Sequence, residues 1–260
     1  EFIFPLDSGV SDPQIYYLKV SGKGALSLEL KLSNAQGVIE RTYQEQLVFG
    51  LFFGGLFVML VYNLLLYFSV RDVAYLYYVV FLGALELSLL NINGFGLQYL
   101  WSEWPRINEH YPFFAYIGMA ALVRYSLDFL DLHQRQPRAG LWLQWLFRIA
   151  VVMVPLTLIV PPPWSYHLNT LLVLAVVLSL FVIGTVSWIK GYTAARLYVA
   201  AWSVFLLGCV VFALDNLGII AHTTLGNYAP HIGGGWVAVL LALALGDRIN
   251  LLEEQRDNLS

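Results

Sequence analysis

Seven apolar windows of nearly equal length limit what this chain can fold into more than any other feature of its sequence. A helix needs roughly 20 apolar residues to cross a hydrocarbon core about 30 Å thick. Windows near that length, separated by short polar or proline-rich breaks, cover residues 47–68, 73–91, 111–130, 141–160, 168–188, 197–220 and 229–246. The third and fourth windows each contain an arginine, Arg124 and Arg148. The pattern predicts a mainly α-helical membrane protein with a seven-transmembrane helix bundle.

The composition agrees with a membrane protein and excludes one class of partner. Hydrophobic residues make up 59% of the chain and charged residues only 12%, whereas soluble domains have about 25% charged residues. The net charge is -3 and the basic residues are scattered, so no basic stripe is available for nucleic acid. Cys209 is the one cysteine in the sequence, so neither a disulfide nor a cysteine-based metal site is expected within the chain.

The residues before the first window have the pattern of a β-hairpin. Leucines alternate with polar residues between Leu26 and Leu32, and the stretch SGKG before them predicts a turn. An isolated hairpin is only marginally stable, so further strands are expected upstream of Glu1. Because the chain begins without a signal sequence and stops within a helical pattern, we interpret it as a piece of a longer protein.

Positive charge is concentrated in the loops at one end of the predicted bundle. The basic residues of these loops and of the tail are Arg71, Arg135, Arg138, Lys190, Arg196, Arg248 and Arg256. The loops at the opposite end contain only one lysine or arginine, Arg106. The positive-inside rule therefore predicts a multi-pass protein of a cytoplasmic membrane, with the hairpin outside and the C-terminal end in the cytoplasm.

The last apolar window continues into a charged segment without a proline or a turn sequence. A stripe with 4-3-4-3 spacing crosses this boundary and consists of Leu245, Ile249, Leu252, Arg256 and Leu259. The spacing predicts that the seventh helix continues as a cytoplasmic helical shaft, with Ile249, Leu252 and Leu259 as the residues that relay a signal. The stripe covers fewer than two heptads, so a short solvated helix end is the alternative interpretation.

Short motifs at particular places along the windows identify a family. They are a Tyr-Asn pair at 62–63, an Arg-Asp loop at 71–72, YLYY at 75–78, GFGLQYLW at 94–101 and the tail ALALGDRINLLEEQ at 242–255. With these motifs the chain resembles the bacterial seven-transmembrane receptors with diverse intracellular signalling modules (7TMR-DISM). The hairpin resembles the end of that family's periplasmic jelly-roll sensor domain.

The resemblance implies a signal-transducing receptor of the bacterial inner membrane. Residues 1–44 are then the C-terminal strands of a periplasmic β-sandwich, 45–246 the bundle, and 247–260 the start of a coiled-coil linker. The output module, in this family often a diguanylate cyclase or a histidine kinase, is expected outside these residues. We expect no catalytic site, metal or cofactor in this chain. The expected partners are membrane lipid, a second copy through the shaft and a small periplasmic ligand of unknown identity.

Other seven-helix classes fit the residues less well. A retinal protein needs a lysine in the last helix for its Schiff base, and none follows Lys190. A zinc hydrolase needs converging histidines or carboxylates, and no two histidines have i,i+4 spacing. A small-molecule transporter is the main alternative, although the sequence lacks the inverted repeats typical of that class.

Polar residues within the windows are candidate functional residues, because polar and charged groups in a membrane are costly. The residues near the predicted outer end are Glu86, Asn91, Asn93, Asp215, Asn216 and His231. With aromatic neighbours they are candidates to line a cup for a small cationic or polar ligand. Hydrogen-bonded contacts that only hold helices together are the alternative.

A second group of charges lies nearer the predicted inner end. Arg124 and Asp128 have i,i+4 spacing on the third window, and Arg148 lies at similar depth on the fourth. We predict either mutual neutralisation between the two helices or an intramembrane switch in which Arg124, Asp128 and Arg148 exchange partners.

Overall fold

The computed structural model describes residues 4, 17–19, 33–216 and 224–257. Within the described residues seven long helices are present: α1 (Ala35–Val70), α2 (Val73–Ile92), α3 (Pro112–Phe129), α4 (Pro137–Leu156), α5 (Pro162–Ile189), α6 (Ala195–Asn216) and α7 (Thr224–Asp257). A π-helical segment, Gly96–Leu100, and two helical turns, Arg106–Glu109 and Leu132–Arg135, lie in the connections. Each long helix coincides with one of the seven apolar windows, which confirms the prediction of a mainly helical protein.

Five of these helices are long and apolar enough to cross a membrane. They are α1, α2, α4, the part of α5 from Trp164 to Ile189 and the part of α7 from His231 to Ile249. In α6 the described apolar segment is shorter, Ala195–Val211. Helix α3 contains both Arg124 and Asp128, and it is nevertheless buried along most of its length. The side chains of Arg124 and Asp128 themselves are only half-buried, with 35% and 28% of their surfaces exposed.

The first helix begins twelve residues before its apolar window. Asn34 caps it, with the side-chain Oδ1 accepting a hydrogen bond from the Gly37 amide at 2.8 Å. Arg41 and Glu45 add an i,i+4 ion pair at 2.9 Å. These contacts stabilise the first part of α1, residues 35–46, which precedes the apolar window. The predicted hairpin, apart from residues 17–19, lies outside the described residues.

The long helices pack as two closely associated groups. In the first, α3 lies between α2 and α4, and Gly118 of α3 allows close approach to Ala84 of α2. In the second, α6 packs along α7 and also against α5, where Gly184 leaves room for the ring of Tyr198. Closer helix approach at glycine is typical of membrane bundles. Individual polar contacts also connect the two groups, among them the hydrogen bonds from Tyr125 to the Leu241 carbonyl and from Tyr198 to Ser126.

Candidate functional site

The outer end of the bundle is the end opposite the arginine-rich loops, and the structure brings two of the predicted residues together there. Asn93, at the C-terminal end of α2, and His231 of α7 approach to 2.8 Å between Nδ2 and Nε2. The same Asn93 amide donates to the Leu89 carbonyl at 2.7 Å. This pair therefore connects the end of α2 to α7.

Aromatic rings surround the imidazole of His231. Its ring centroid lies 5.5 Å from that of Phe49, 5.9 Å from Phe52 and 6.2 Å from Tyr228. We call Phe49, Phe52, Asn93, Tyr228 and His231 the outer cluster. It joins three helices, α1, α2 and α7, at one level.

The other predicted outer residues have different surroundings. Glu86 is half-buried and lies on the same face of α2 as Asn93, about 10 Å deeper along the helix. Asn91 is 2% exposed and donates to the Ile107 carbonyl at 3.4 Å, so it holds the connection after α2. Asp215 and Asn216 belong to the end of α6, and their side chains lie outside the described part of the chain.

Two substitutions separate a structural role from a ligand role in this region. Asn91→Leu is expected to lower thermal stability by about 0.5–1.5 kcal/mol, the net contribution of one hydrogen bond, because the Ile107 carbonyl keeps only the bond from the His110 amide. Glu86→Gln keeps the size of the side chain and removes its charge. We expect it to leave thermal unfolding in detergent unchanged and to alter any ligand response of the full-length protein. Equal destabilisation by both substitutions, with an unaltered response in Glu86→Gln, would show that Glu86 is only a packing residue.

Two tyrosines connect α7 to the buried centre of the bundle. The hydroxyl of Tyr78 on α2 donates to the Ala238 carbonyl, and that of Tyr125 on α3 donates to the Leu241 carbonyl at 3.1 Å. Both tyrosines are fully buried. These contacts could not be predicted from the sequence, since a tyrosine on a buried face does not reveal which carbonyl accepts its hydrogen bond.

The inner end of the bundle contains an ion-pair cluster that the sequence analysis also missed. Arg196, near the start of α6, lies 3.3 Å from Asp247 of α7. The next residue, Arg248, lies 3.9 Å from Asp72, which caps α2 through a 2.8 Å bond from the Ala74 amide. We call Asp72, Arg196, Asp247 and Arg248 the inner charged cluster. Opposite charges at the inner ends of the second and seventh windows were the available sequence signal.

The Arg248 side chain is mostly enclosed, with 18% of its surface exposed. Its guanidinium lies 5.8 Å from the ring centroid of Phe129, at the end of α3. In the loop after α5, the Tyr192 hydroxyl donates to the Phe129 carbonyl at 2.9 Å, and burial raises its pKa, so it stays protonated. At 3.9 Å the contact between Arg248 and Asp72 is an ion pair without a direct hydrogen bond.

The predicted intramembrane switch is only partly assembled. Arg124 and Asp128 are 3.5 Å apart, and Nε of Arg124 is 3.4 Å from the Tyr77 hydroxyl. The structure does not bring Arg148 to this pair, because Arg148 lies on the exposed face of α4 beside Trp145. Similar depth in the membrane did not determine which way the side chain faces.

Two of the three predicted relay residues, Ile249 and Leu252, lie on the last helix. Ile249 is half-buried and packs against the core. The backbone of Leu252 is helical, while its side chain and all of Leu259 lie outside the described part. Helix α7 is continuous through Asp247 and Arg248 to Asp257. The helix thus extends past the last apolar window.

Taken together, the contacts connect α7 to α2 at three levels. Asn93, Tyr78 and Asp72, the last directly before α2, contact His231, Ala238 and Arg248 respectively. The first and last of these positions on α7 are 17 residues apart, which is about 25 Å of helix. In the described residues no group of three or more His, Cys, Asp or Glu has an arrangement that could hold a metal ion.

A helical membrane protein with a continuous last helix is the class that this architecture defines. Comparison with protein families identifies it further, since the model of the family described as 7TM diverse intracellular signalling matches residues 45–248. The chain therefore belongs to the 7TMR-DISM family, as its motifs indicated. No curated protein and no solved structure gives a match.

Proposed function

We propose that this chain is the membrane part of a bacterial inner-membrane receptor that relays its state through α7 to a cytoplasmic output module. A diguanylate cyclase or a histidine kinase is the expected output. The observation that carries the proposal is the unbroken α7, which begins beside the outer cluster, passes the inner charged cluster and continues beyond it. The family to which the chain belongs is described as 7TM diverse intracellular signalling, which supports the same role.

The contacts on α7 have the strength that a reversible relay requires. Interhelical polar contacts in membranes average about 0.6 kcal/mol each. Three of them hold α7 against α2 by roughly 2 kcal/mol, within the 1–3 kcal/mol typical of coupling between sites. A ligand needs only a differential affinity of that size to shift the population. Because α6 packs closely along α7, we propose that the two helices move together.

The outer cluster is where we propose that a ligand acts. Aromatic faces attract cations, and the carboxylate of Glu86 lies on the same face of α2 as Asn93. A small cationic or polar ligand that enters here would compete with the contact between Asn93 and His231. Asp215 and Asn216, at the end of α6, are further candidate ligand residues. Sensing through the upstream periplasmic domain would reach the same helices through the start of α1.

Cysteine labelling tests the orientation on which the proposal depends. In a Cys209→Ser background, Ser102→Cys in the outer loop is expected to react with an impermeant thiol reagent in intact cells. Thr193→Cys, in the loop after α5, is expected to react only after the cells are permeabilised. Both positions are exposed, whereas Ser165 is 3% exposed and would be a poor reporter. Labelling of Thr193→Cys in intact cells would reverse the orientation and contradict the receptor proposal.

A further inference from the structure

Two segments at the inner end of the bundle lie side by side, one at the start of α4 and the other at the end of α5. The Gln136 amide nitrogen Nε2 donates to the Ser187 hydroxyl at 2.7 Å. The guanidinium of Arg135 lies 4.5 Å from the ring centroid of Tyr192. Ser187 is 2% exposed, so the hydrogen bond is enclosed by the protein. These two contacts hold the segments together as one surface.

Basic side chains cover this surface. Arg138 is the second residue of α4, Lys190 directly follows α5, and both are exposed. In the part of the chain that the structure describes, neither of them makes an ion pair. Arg135 is half-exposed and lies 3.7 Å from Asp131. We call Arg135, Arg138 and Lys190 the inner basic patch. With Asp131 included, this surface carries two net positive charges.

The inner basic patch lies at the level of the phospholipid headgroups. Helix α4 and the part of α5 from Trp164 to Ile189 are each long and apolar enough to cross a membrane, and the patch is at the inner end of both. Trp142, 52% exposed, lies about 6 Å along α4 from Arg138. Trp188, 50% exposed, lies two residues before Lys190. Because tryptophan is enriched at the boundary between hydrocarbon and headgroups, the charged groups of the patch lie beside the phosphates.

Apolar surface adjoins the charges of the patch. Trp142 shares a face of α4 with Arg138, four residues away. Its indole Nε1 donates to the Ser179 hydroxyl at 2.9 Å, so the ring bridges α4 and α5. Val182, 56% exposed, lies on the same side of α5 as Ser179, three residues closer to the inner end. An acyl chain fits along this surface while its headgroup reaches Arg138, whereas a soluble anion would use the charges alone.

Lipid is the occupant that this position has in a membrane, because outward-facing residues of a bundle border lipid wherever no other protein displaces it. The charge then determines which lipid is preferred. Two net positive charges favour an anionic headgroup, and basic pockets between helices on the cytoplasmic side bind such headgroups. We propose that Arg138 and Lys190 hold the phosphate of an anionic phospholipid of the inner leaflet, with one acyl chain along Trp142. This site is separate from the outer cluster and does not depend on the proposed relay through α7.

Native mass spectrometry of the full-length protein, purified in a neutral detergent, tests the charge preference. Phosphatidylglycerol is expected to bind at concentrations at which phosphatidylcholine does not, because only the former has a net negative charge. Arg138→Gln and Lys190→Gln are each expected to weaken phosphatidylglycerol binding about fivefold, the effect of one basic residue near a charged membrane surface. Arg106→Gln, at an exposed position of the outer end, is the matched control and is expected to leave binding unchanged. Equal binding of the two lipids, or equal weakening by Arg106→Gln and Arg138→Gln, would overturn the proposal.

Variants of Trp142 distinguish a lipid from a soluble anion. Trp142→Ala removes apolar surface and is expected to weaken phosphatidylglycerol binding about threefold or more, while Trp142→Phe keeps a large ring and retains most of the binding. Glycerol phosphate, the soluble part of the lipid, is expected not to displace phosphatidylglycerol at equal concentration. Because the substituted positions are exposed, gel filtration and thermal unfolding should match those of the unaltered protein. Unchanged binding in Trp142→Ala, equal loss in Trp142→Phe, or displacement by glycerol phosphate would contradict a lipid on this surface.

Discussion

Asp72→Asn and Arg248→Gln, each in the full-length receptor, are expected to change the resting output in the same direction and by roughly fivefold or more. Both substitutions remove one ion pair, that between Asp72 and Arg248. Fivefold corresponds to about 1 kcal/mol, the lower end of the coupling energies found between sites. The output is measured as the enzymatic activity of the proposed cytoplasmic module in isolated membranes, at equal receptor concentration.

The substitution Asp72→Asn distinguishes the effect of the charge from the effect of the helix cap. Asn and Asp cap helices equally well, so Asp72→Asn should preserve the start of α2. Asp72→Ala removes the cap as well and is expected to cost about 1 kcal/mol of stability in addition. The double variant Asp72→Asn with Arg248→Gln should shift the output no further than Arg248→Gln alone, because the ion pair is already absent in that single variant.

Asp131→Asn is the matched control for this prediction. Asp131 also lies at the inner end, 3.7 Å from Arg135, and it has a left-handed backbone with φ 47° that asparagine tolerates. Its ion pair is local and does not involve α7. Output changes of opposite sign in Asp72→Asn and Arg248→Gln, or a change of the same size in Asp131→Asn, would contradict a role of the inner charged cluster in holding α7.

The positions of the helices could be predicted from the sequence because they depend on local properties. Apolar length defined the seven windows, and a capping residue marks the starts of α1 and α2 at Asn34 and Asp72. The start of α1 at Ala35 was missed, since residues 35–46 are polar and their helix depends on capping and on an ion pair. Hydropathy alone does not detect such a segment.

The contacts between helices could be predicted only in part because they depend on packing. The sequence placed Asn93 and His231 in one outer group, because both lie near the outer end of the predicted bundle. It did not associate Asp72 with Arg248, which are separated by most of the chain. It also grouped Arg148 with Arg124 by depth, but rotation about the helix axis directs Arg148 outward. The depth of a residue in the membrane follows from counting residues along the helix. The direction in which its side chain points depends on which neighbouring helices pack against that helix.

A pair of insertions into α7 is expected to have the largest effect on signalling. If the state is relayed as rotation or tilt of α7, the angular relation across Arg248 must be kept. Seven residues inserted after Asn250 lengthen the helix by about 10 Å and return its face to within about 20° of the original direction. Four inserted residues lengthen it by only about 6 Å but rotate everything downstream by about 40°.

The output of these two insertion variants is the measurement that tests the relay through α7 most directly. In full-length receptors in membranes, the seven-residue insertion is expected to keep regulated output. The four-residue insertion is expected to lock the output on or off. The larger displacement thus has the smaller effect, which a passive tether does not explain. If the two insertions behave alike, whether both regulated or both locked, α7 does not transmit its rotation and the proposed relay is wrong.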